Sequence, residues 1–175
     1  MPSSPFCVAI LAVALLMPAA GFAQDVTEPA LKAGFIYGFM RFTEWPEPLP
    51  ASDPVVICVL GDSAVGDALE RVVKGRQLAG RRMTVLLLPV SGPTKACRVV
   101  YTSGLTPSQR AALLVALQDS PVLTISDAAG FIETGGMAQI FFERGQARFN
   151  IGHSAVKRAR LQMSSKLLGL ANRHE

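Results

Sequence analysis

The sequence predicts an α/β fold with a mainly parallel sheet that is covered by helices on both faces. Apolar runs of strand length recur along the chain, and one of them, Val55–Leu60, is apolar throughout, which is typical of a strand buried on both faces. Helical segments separate these runs, and this alternation favours parallel strands. Half of the 175 residues are hydrophobic and only 17% are charged, so the chain can form a core and is not expected to be disordered.

The first 23 residues have the pattern of a signal peptide. Residues 6–20 are almost wholly apolar, and Gly21 and Ala23 provide the small side chains of a cleavage site. The run is shorter than the roughly 20 apolar residues of a membrane-spanning helix. An uncleaved anchor is the alternative, because no Lys or Arg precedes the run. We expect cleavage after Ala23, export to an oxidising compartment, and one domain over residues 24–175.

The next elements are a helix, a loop and the first strand. The helix is predicted to begin after Thr27 and to end before Pro46, because proline disfavours a helical conformation in the residue before it. Residues 47–54 contain three prolines and predict a loop before the strand Val55–Leu60. A second helix is expected from residue 63 to about residue 74.

The pattern of strands and helices then continues to the C-terminus. The remaining predicted elements are strands over 83–89 and 98–102, a helix over 107–118, a strand over 122–126, a short helical piece over 127–133, a β-hairpin of 137–143 and 147–151, and a long helix over 154–172. Thr106 and Pro107 give the third helix a typical start, since proline at the first helical position loses no hydrogen bond.

The cysteines predict one disulfide bond. Cleavage of the signal peptide removes Cys7 and leaves Cys58 and Cys97, an even pair that is most simply a disulfide in an oxidising compartment. A redox-active pair and a metal site are the alternatives. The spacing is far from the C-x-x-C of thioredoxin-type proteins, and His153 and His174 provide no clustered ligands. We expect a structural disulfide and neither a metal nor a cofactor.

Polar side chains follow the predicted strands at their carboxyl ends, where open α/β sheets usually bind ligands. Asp62 and Ser63 follow one strand, and Ser126 and Asp127 end another. These four residues are therefore candidates for ligand or partner contact. The alternative is that they are helix caps, because Ser and Asp side chains accept hydrogen bonds from free helical N–H groups.

The block Gly61-Asp62-Ser63 is also similar to the nucleophile motif of GDSL/SGNH hydrolases. In those enzymes the serine acts with a histidine that follows an aspartate by three residues. Here His153 follows Asn150, and an amide does not stabilise an imidazolium ion as a carboxylate does. Paired carboxylates, a P-loop and a dinucleotide fingerprint are absent from the sequence. We therefore expect a binding or regulatory module rather than an enzyme, with a serine hydrolase as the weakest alternative.

The charge distribution bears on the class of partner. The net charge is +4, and the chain has no lysine- or arginine-rich tract, so nucleic acid is not an expected partner. A mild positive charge suits an acidic protein or a membrane surface as the partner. The predicted last helix, with the residue after it, carries five basic residues that could form a docking face or simply be solvated: Lys157, Arg158, Arg160, Lys166 and Arg173. Phe42 and Trp45, at the end of the first helix, are candidates for a ligand pocket or a partner contact, with a core position as the alternative.

Seven short blocks, in order, resemble one family of periplasmic proteins. They are residues 39–46 (FMRFTEWP), 57–62 (ICVLGD), 97–101 (CRVVY), 122–127 (VLTISD), 135–137 (GGM), 148–151 (RFNI) and 164–168 (SSKLL). The first block matches the F-x-K/R-F-x-x-W-P element of the YfiR family. The blocks extend over almost all of the mature chain, from about residue 30 to residue 171, and the chain resembles the YfiR family over that length.

The resemblance implies a Rossmann-like fold, a periplasmic location and a regulatory role. Members of this family inhibit a membrane-anchored diguanylate cyclase of the YfiN type, which lowers cyclic-di-GMP and restrains biofilm formation. Relatives also occur as sensor modules, so a periplasmic small-molecule sensor for another membrane receptor is the alternative. A homodimer and a small-molecule ligand are further expectations. Cys58 and Cys97 match one disulfide of the family, but the second pair of some members is missing, which argues against switching through a second bridge.

Overall fold

A computed structural model describes residues 26–46 and 53–174. The predicted signal peptide with its cleavage site, and most of the proline-rich loop, lie outside the described residues. The helices are α1 (Glu28–Arg41), α2 (Ser63–Val73), α3 (Pro107–Leu117), α4 (His153–Arg158) and α5 (Ser165–Leu168). The strands are β1 (Thr43–Glu44), β2 (Val55–Leu60), β3 (Gln77–Leu78), β4 (Arg81–Leu88), β5 (Val99–Thr102), β6 (Leu123–Ser126), β7 (Ala138–Glu143), β8 (Gln146–Ile151), β9 (Gln162–Met163) and β10 (Arg173–His174).

The described strands form one large, mainly parallel sheet and one small antiparallel pair. The order in the large sheet is β10-β8-β7-β6-β5-β2-β4-β3, in which β4, β2, β5, β6 and β7 are parallel. Strands β7 and β8 form the predicted antiparallel hairpin, and β1 pairs with β9 in the small sheet. The chain passes from β4 across β2 to β5, so the winding direction reverses between β2 and β5. Folds of this kind usually bind ligands at that reversal point.

Helices cover both faces of the large sheet, as the sequence predicts. On one face Ile57, Val59 and Tyr101 are buried in a core formed with α1 and α2. On the other face Cys58 and Leu60 pack with side chains of α3. This alternation explains the continuously apolar run of β2, because successive side chains of a strand enter opposite cores.

Two predicted helical segments are wrong. Residues 127–133 form turns, and Gly130 there has a φ of +72°, in the left-handed region that ends a helix. The long helix expected over 154–172 is replaced by α4, β9 and α5. Arg160 has a φ of +59°, which ends helical geometry after α4, and residues 162–163 pair with β1. Pairing with a distant strand thus overrides a local helical pattern.

Candidate functional site

The predicted candidates at the carboxyl ends of the strands do lie along one edge of the sheet. Leu60, Thr102 and Ser126 are neighbours in the registers of β2, β5 and β6, so the residues that follow them emerge side by side. Asp62, Ser63, Ser126 and Asp127 therefore occupy this edge, as the sequence predicts. The edge includes the reversal point between β2 and β5.

A hydrogen-bonded polar cluster is centred on Asp127. Its Oδ2 atom accepts hydrogen bonds from Lys32 Nζ at 2.7 Å, from Tyr101 OH at 3.1 Å and from Ser103 Oγ at 2.9 Å. Lys32 Nζ also lies 2.6 Å from Glu28 Oε1. The cluster therefore joins the first turns of α1 to the ends of β5 and β6, and its polar side chains bond to one another.

The surroundings of this cluster shift the pKa values of two groups. Burial lowers the pKa of Lys32, but the hydrogen bonds and charges of Asp127 and Glu28 outweigh it and raise that pKa above its ordinary value. Burial, followed by the charge of Asp127 and the hydrogen bond to it, raises the pKa of Tyr101 far above its ordinary value. The structure thus favours an ammonium ion at Lys32 and a neutral phenol at Tyr101.

At the reversal point between β2 and β5 the two backbones lie in close contact. Ser103 N donates to Leu60 O at 3.1 Å, and a Cβ atom at Gly61 would collide with the Ser103 carbonyl oxygen. Gly61 also has a φ of +86°, which favours glycine on conformational grounds. Close backbone contact therefore joins the residues that directly follow β2 and β5.

Two of the candidate polar residues at this edge have local structural roles. The Asp62 side chain accepts a hydrogen bond from Val65 N at 3.1 Å and caps α2. Ser126 Oγ donates to Thr102 O at 2.8 Å and accepts from Ala128 N at 3.1 Å. For Asp62 and Ser126 the structure supports the capping and turn interpretation of the sequence pattern.

The structure does not bring Ser63 and His153 together as a hydrolytic pair would require. Ser63 follows β2 and His153 follows β8, with β5, β6 and β7 between these strands. Four strand spacings correspond to about 19 Å. Hydrogen bonding between a nucleophile and its base requires about 3 Å, so the hypothesis of a Ser63–His153 hydrolase is wrong.

The remaining candidates, Phe42, Trp45 and Arg160, lie around the small sheet of β1 and β9. Thr43 is opposite Met163, and Ser164 N donates to Phe42 O at 2.9 Å. The pairing brings the end of α1 next to the segment that follows α4. Phe42 and Arg160 are exposed there, whereas Trp45 is half-buried against the core.

A cleft of about 590 Å³ opens beside Trp45, at the edge of the sheet opposite the Asp127 cluster. Its lining residues include Trp45, the apolar Met40, Val55 and Leu78, the acidic Glu44, and the basic Arg41, Arg81 and Arg98. The indole Nε1 of Trp45 is buried and has no hydrogen-bond partner within the described residues. An unpaired buried donor costs about 1–3 kcal/mol, and a shift of the indole that let a ligand in the cleft accept its hydrogen bond would remove that cost.

The predicted disulfide between Cys58 and Cys97 is confirmed. It joins β2 to the residues just before β5, and both cysteines are buried on the face covered by α3. Among the described residues, no group of three or more His, Cys, Asp or Glu side chains is arranged to hold a metal ion.

Sequence reasoning did not identify Lys32 and Tyr101 as parts of the Asp127 cluster. A signal for Lys32 was present, because it lies on the same helical stripe as Ile36 and Phe39, both buried in the core. A lone lysine on an apolar stripe predicts a buried acidic partner. The sequence carries no comparable signal for Tyr101, which reads as one apolar residue of a buried strand.

Comparison with known proteins gives the family. A family described as YfiR/HmsC-like (DUF4154) matches residues 29–172. The chain belongs to the YfiR/HmsC-like family. This family is regulatory rather than catalytic and is periplasmic. In the part of this family member that the structure describes, no helix has both the length and the apolar character needed to span a bilayer.

Solved structures with the same fold extend the comparison. The ABC domain in complex with L-Trp from Streptococcus pneumonia has a TM-score of 0.54 and 12% identity, over 84% of this chain and 60% of that chain. A conserved domain protein from Vibrio cholerae o1 biovar eltor str. n16961 has a TM-score of 0.52 and 12% identity, over 85% of this chain and 60% of that chain. The chain thus spans about 60% of the length of these two structures, and identities this low show the fold alone. No curated protein matches this YfiR/HmsC-like chain.

Proposed function

We propose that this chain is a periplasmic inhibitor that binds the periplasmic portion of a membrane-anchored diguanylate cyclase and thereby lowers cyclic-di-GMP. The observation that carries the proposal is the family match over residues 29–172, which includes nearly every described helix and strand.

Inhibition across a membrane requires a difference in affinity between two states of the cyclase. A binding protein shifts such an equilibrium only by the ratio of its affinities for the two arrangements. Moving the cyclase from almost fully active to almost fully inactive requires a preference of about 10⁴-fold. A sheet covered on both faces and cross-linked by the Cys58–Cys97 disulfide is a rigid body suited to selecting one arrangement.

The open edge of β4 is the surface that we assign to protein contact. Only Arg81 and Arg82 of β4 pair with β3, so among the described residues the outer side of residues 83–88 has no strand partner. Leu86 is 39% exposed there, and the segment contains no charged residue that would protect the edge. Unprotected edges of this kind accept a strand from another chain.

A second copy of this chain would compete for the same edge. Sedimentation of the purified protein distinguishes a homodimer from a monomer.

Deletion of the gene is expected to raise intracellular cyclic-di-GMP several-fold and to increase biofilm formation. Expression of the exported wild-type chain restores the original level, whereas the same chain without residues 1–23 does not, because it cannot reach the periplasm. Mass spectrometry of nucleotide extracts measures the effect. Unchanged cyclic-di-GMP after deletion would refute the proposed function.

The cleft beside Trp45 supports a second candidate function, the sensing of a small molecule. The apolar lining and the indole donor favour a ligand with an apolar body and a hydrogen-bond acceptor, such as an aromatic carboxylate. A sensor of this kind could also control the cyclase. If the ligand binds one conformation of the regulator more tightly than another, it shifts the equilibrium between these conformations.

A ligand of the cleft should stabilise the purified wild-type protein and not a Trp45→Phe variant. With benzoate and indole-3-acetate as probes at about 100 times the dissociation constant, we expect about 2.7 kcal/mol of stabilisation, which is about 5–10 °C in melting temperature. Phenylalanine keeps an aromatic ring but removes the N–H donor. Equal shifts in the two proteins, or no shift with any aromatic carboxylate, would contradict a site built around the Trp45 indole.

A further inference from the structure

Basic residues are concentrated at the C-terminal end of the chain. Seven of the 17 Lys and Arg residues lie between residues 144 and 174, and this segment contains no Asp or Glu. All 13 acidic residues therefore lie elsewhere and outnumber the remaining basic ones. A charge asymmetry of this kind indicates interaction with an anionic surface.

We use the name basic face for four of these residues, which lie within ten positions of one another: Lys157, Arg158, Arg160 and Lys166. They lie in α4, in the turn after it and in α5, and all four are exposed. Within the described residues none of the four has an ion-pair partner. Arg160 adopts a φ of +59°, a conformation that non-glycine residues seldom adopt, in a turn closed by its N–H bond to Lys157 O. The basic face is thus free to bind anions.

Exposed apolar side chains lie next to the basic face. Leu170 is 74% exposed and follows Lys166 by four residues, in the turn that ends α5. Phe42 is 44% exposed, and its carbonyl group accepts the N–H of Ser164, the N-cap of α5. Cations beside exposed apolar groups are typical of surfaces that lie in the interface of a lipid bilayer.

We propose that the basic face binds the anionic headgroups of a phospholipid membrane, with Phe42 and Leu170 entering the boundary between headgroups and acyl chains. Charge complementarity supports this occupant, because each cation near an anionic bilayer adds to the attraction. The two exposed apolar side chains favour a membrane over an acidic protein segment, for which cations alone would suffice. The inference goes beyond the proposed function and holds whether or not a cyclase is the partner. It would concentrate the regulator at the surface where a membrane partner lies.

Co-sedimentation of the exported protein with vesicles tests this proposal without any partner protein. We expect binding to vesicles of phosphatidylcholine mixed with phosphatidylglycerol and little binding to phosphatidylcholine alone. Binding should weaken between about 0.1 M and about 1 M salt, where the screening length falls from about 10 Å to about 3 Å. A variant with all four cations of the basic face changed to Gln should bind between about a hundredfold and about a thousandfold more weakly.

A matched variant controls for total charge. Changing Arg71, Lys74, Arg82 and Lys95 to Gln removes four exposed basic residues outside the basic face, and it should leave most of the vesicle binding intact. Equal losses in the two variants, equal binding to both kinds of vesicle, or binding only when the membrane contains a protein partner would overturn the proposal. Circular dichroism of both variants establishes that they are folded.

Discussion

Replacing Cys58 and Cys97 together with alanine is expected to lower the free energy of unfolding by about 4 kcal/mol. The two cysteines are 39 positions apart, and closing a loop of that length restricts the unfolded chain by about this amount in the loop-entropy description. The bond also joins β2, in the centre of the sheet, to the residues just before its neighbouring strand β5. A loss of this size is a large part of the 5–15 kcal/mol that stabilises a typical domain.

Urea unfolding of the exported wild type and of the double variant measures this effect. Dithiothreitol should lower the unfolding midpoint of the wild type and leave that of the double variant unchanged, which separates the bond itself from the effect of the substituted side chains. Equal midpoints for wild type and double variant would contradict a stabilising disulfide.

Replacing Asp127 with alanine is expected to cost about 3 kcal/mol of folding free energy. The change leaves Lys32 without its buried partner and removes the acceptor of the Tyr101 and Ser103 hydroxyl groups. Glu28→Ala is the matched control, because Glu28 binds the same Lys32 ammonium group but its side chain is 58% exposed. Exposed ion pairs contribute less than about 1 kcal/mol. Equal losses of folding free energy for the two variants in urea unfolding would contradict the prediction that Asp127 stabilises the fold more than Glu28 does.

The pH dependence of stability gives this cluster a second readout. The raised pKa of Lys32 means that the folded state holds its proton more tightly, so this stabilisation is present below about pH 10.4 and is lost as the pH rises through the folded pKa. The raised pKa of Tyr101 acts in the same direction above about pH 10. The wild type should therefore lose stability steeply in alkali, and Asp127→Ala should show a weaker dependence.

The sequence predicts the centre of this fold well, because local and tertiary signals agree there. The Val55–Leu60 run has the length of a strand and no polar residue, so burial on both faces is the arrangement that satisfies it. The Cys58–Cys97 bond was similarly predictable, since removal of Cys7 leaves one pair. The placement of Asp62 and Asp127 at one edge also followed from the predicted parallel strands.

The C-terminal segment and the Asp127 cluster were less predictable because distant contacts decide them. Residues 154–172 have helical periodicity, but the pairing of Gln162 and Met163 with β1 depends on a segment more than a hundred positions away. The bond between Lys32 and Asp127 likewise joins positions separated by 95 residues. Spacing along the chain carries no information on such pairs.

The most direct test of the central claim is the binding of the exported protein to the full-length cyclase in lipid nanodiscs. We expect a complex by titration calorimetry and a decrease in cyclic-di-GMP synthesis that follows its formation. Leu86→Lys at the open edge of β4 should weaken the complex at least about tenfold, since a charge there protects the edge from pairing. Val115→Lys on α3, a residue 66% exposed, is the matched control and should bind as the wild type does. If the wild-type protein formed no complex and left cyclic-di-GMP synthesis unchanged, the account of this chain as a cyclase inhibitor would be contradicted.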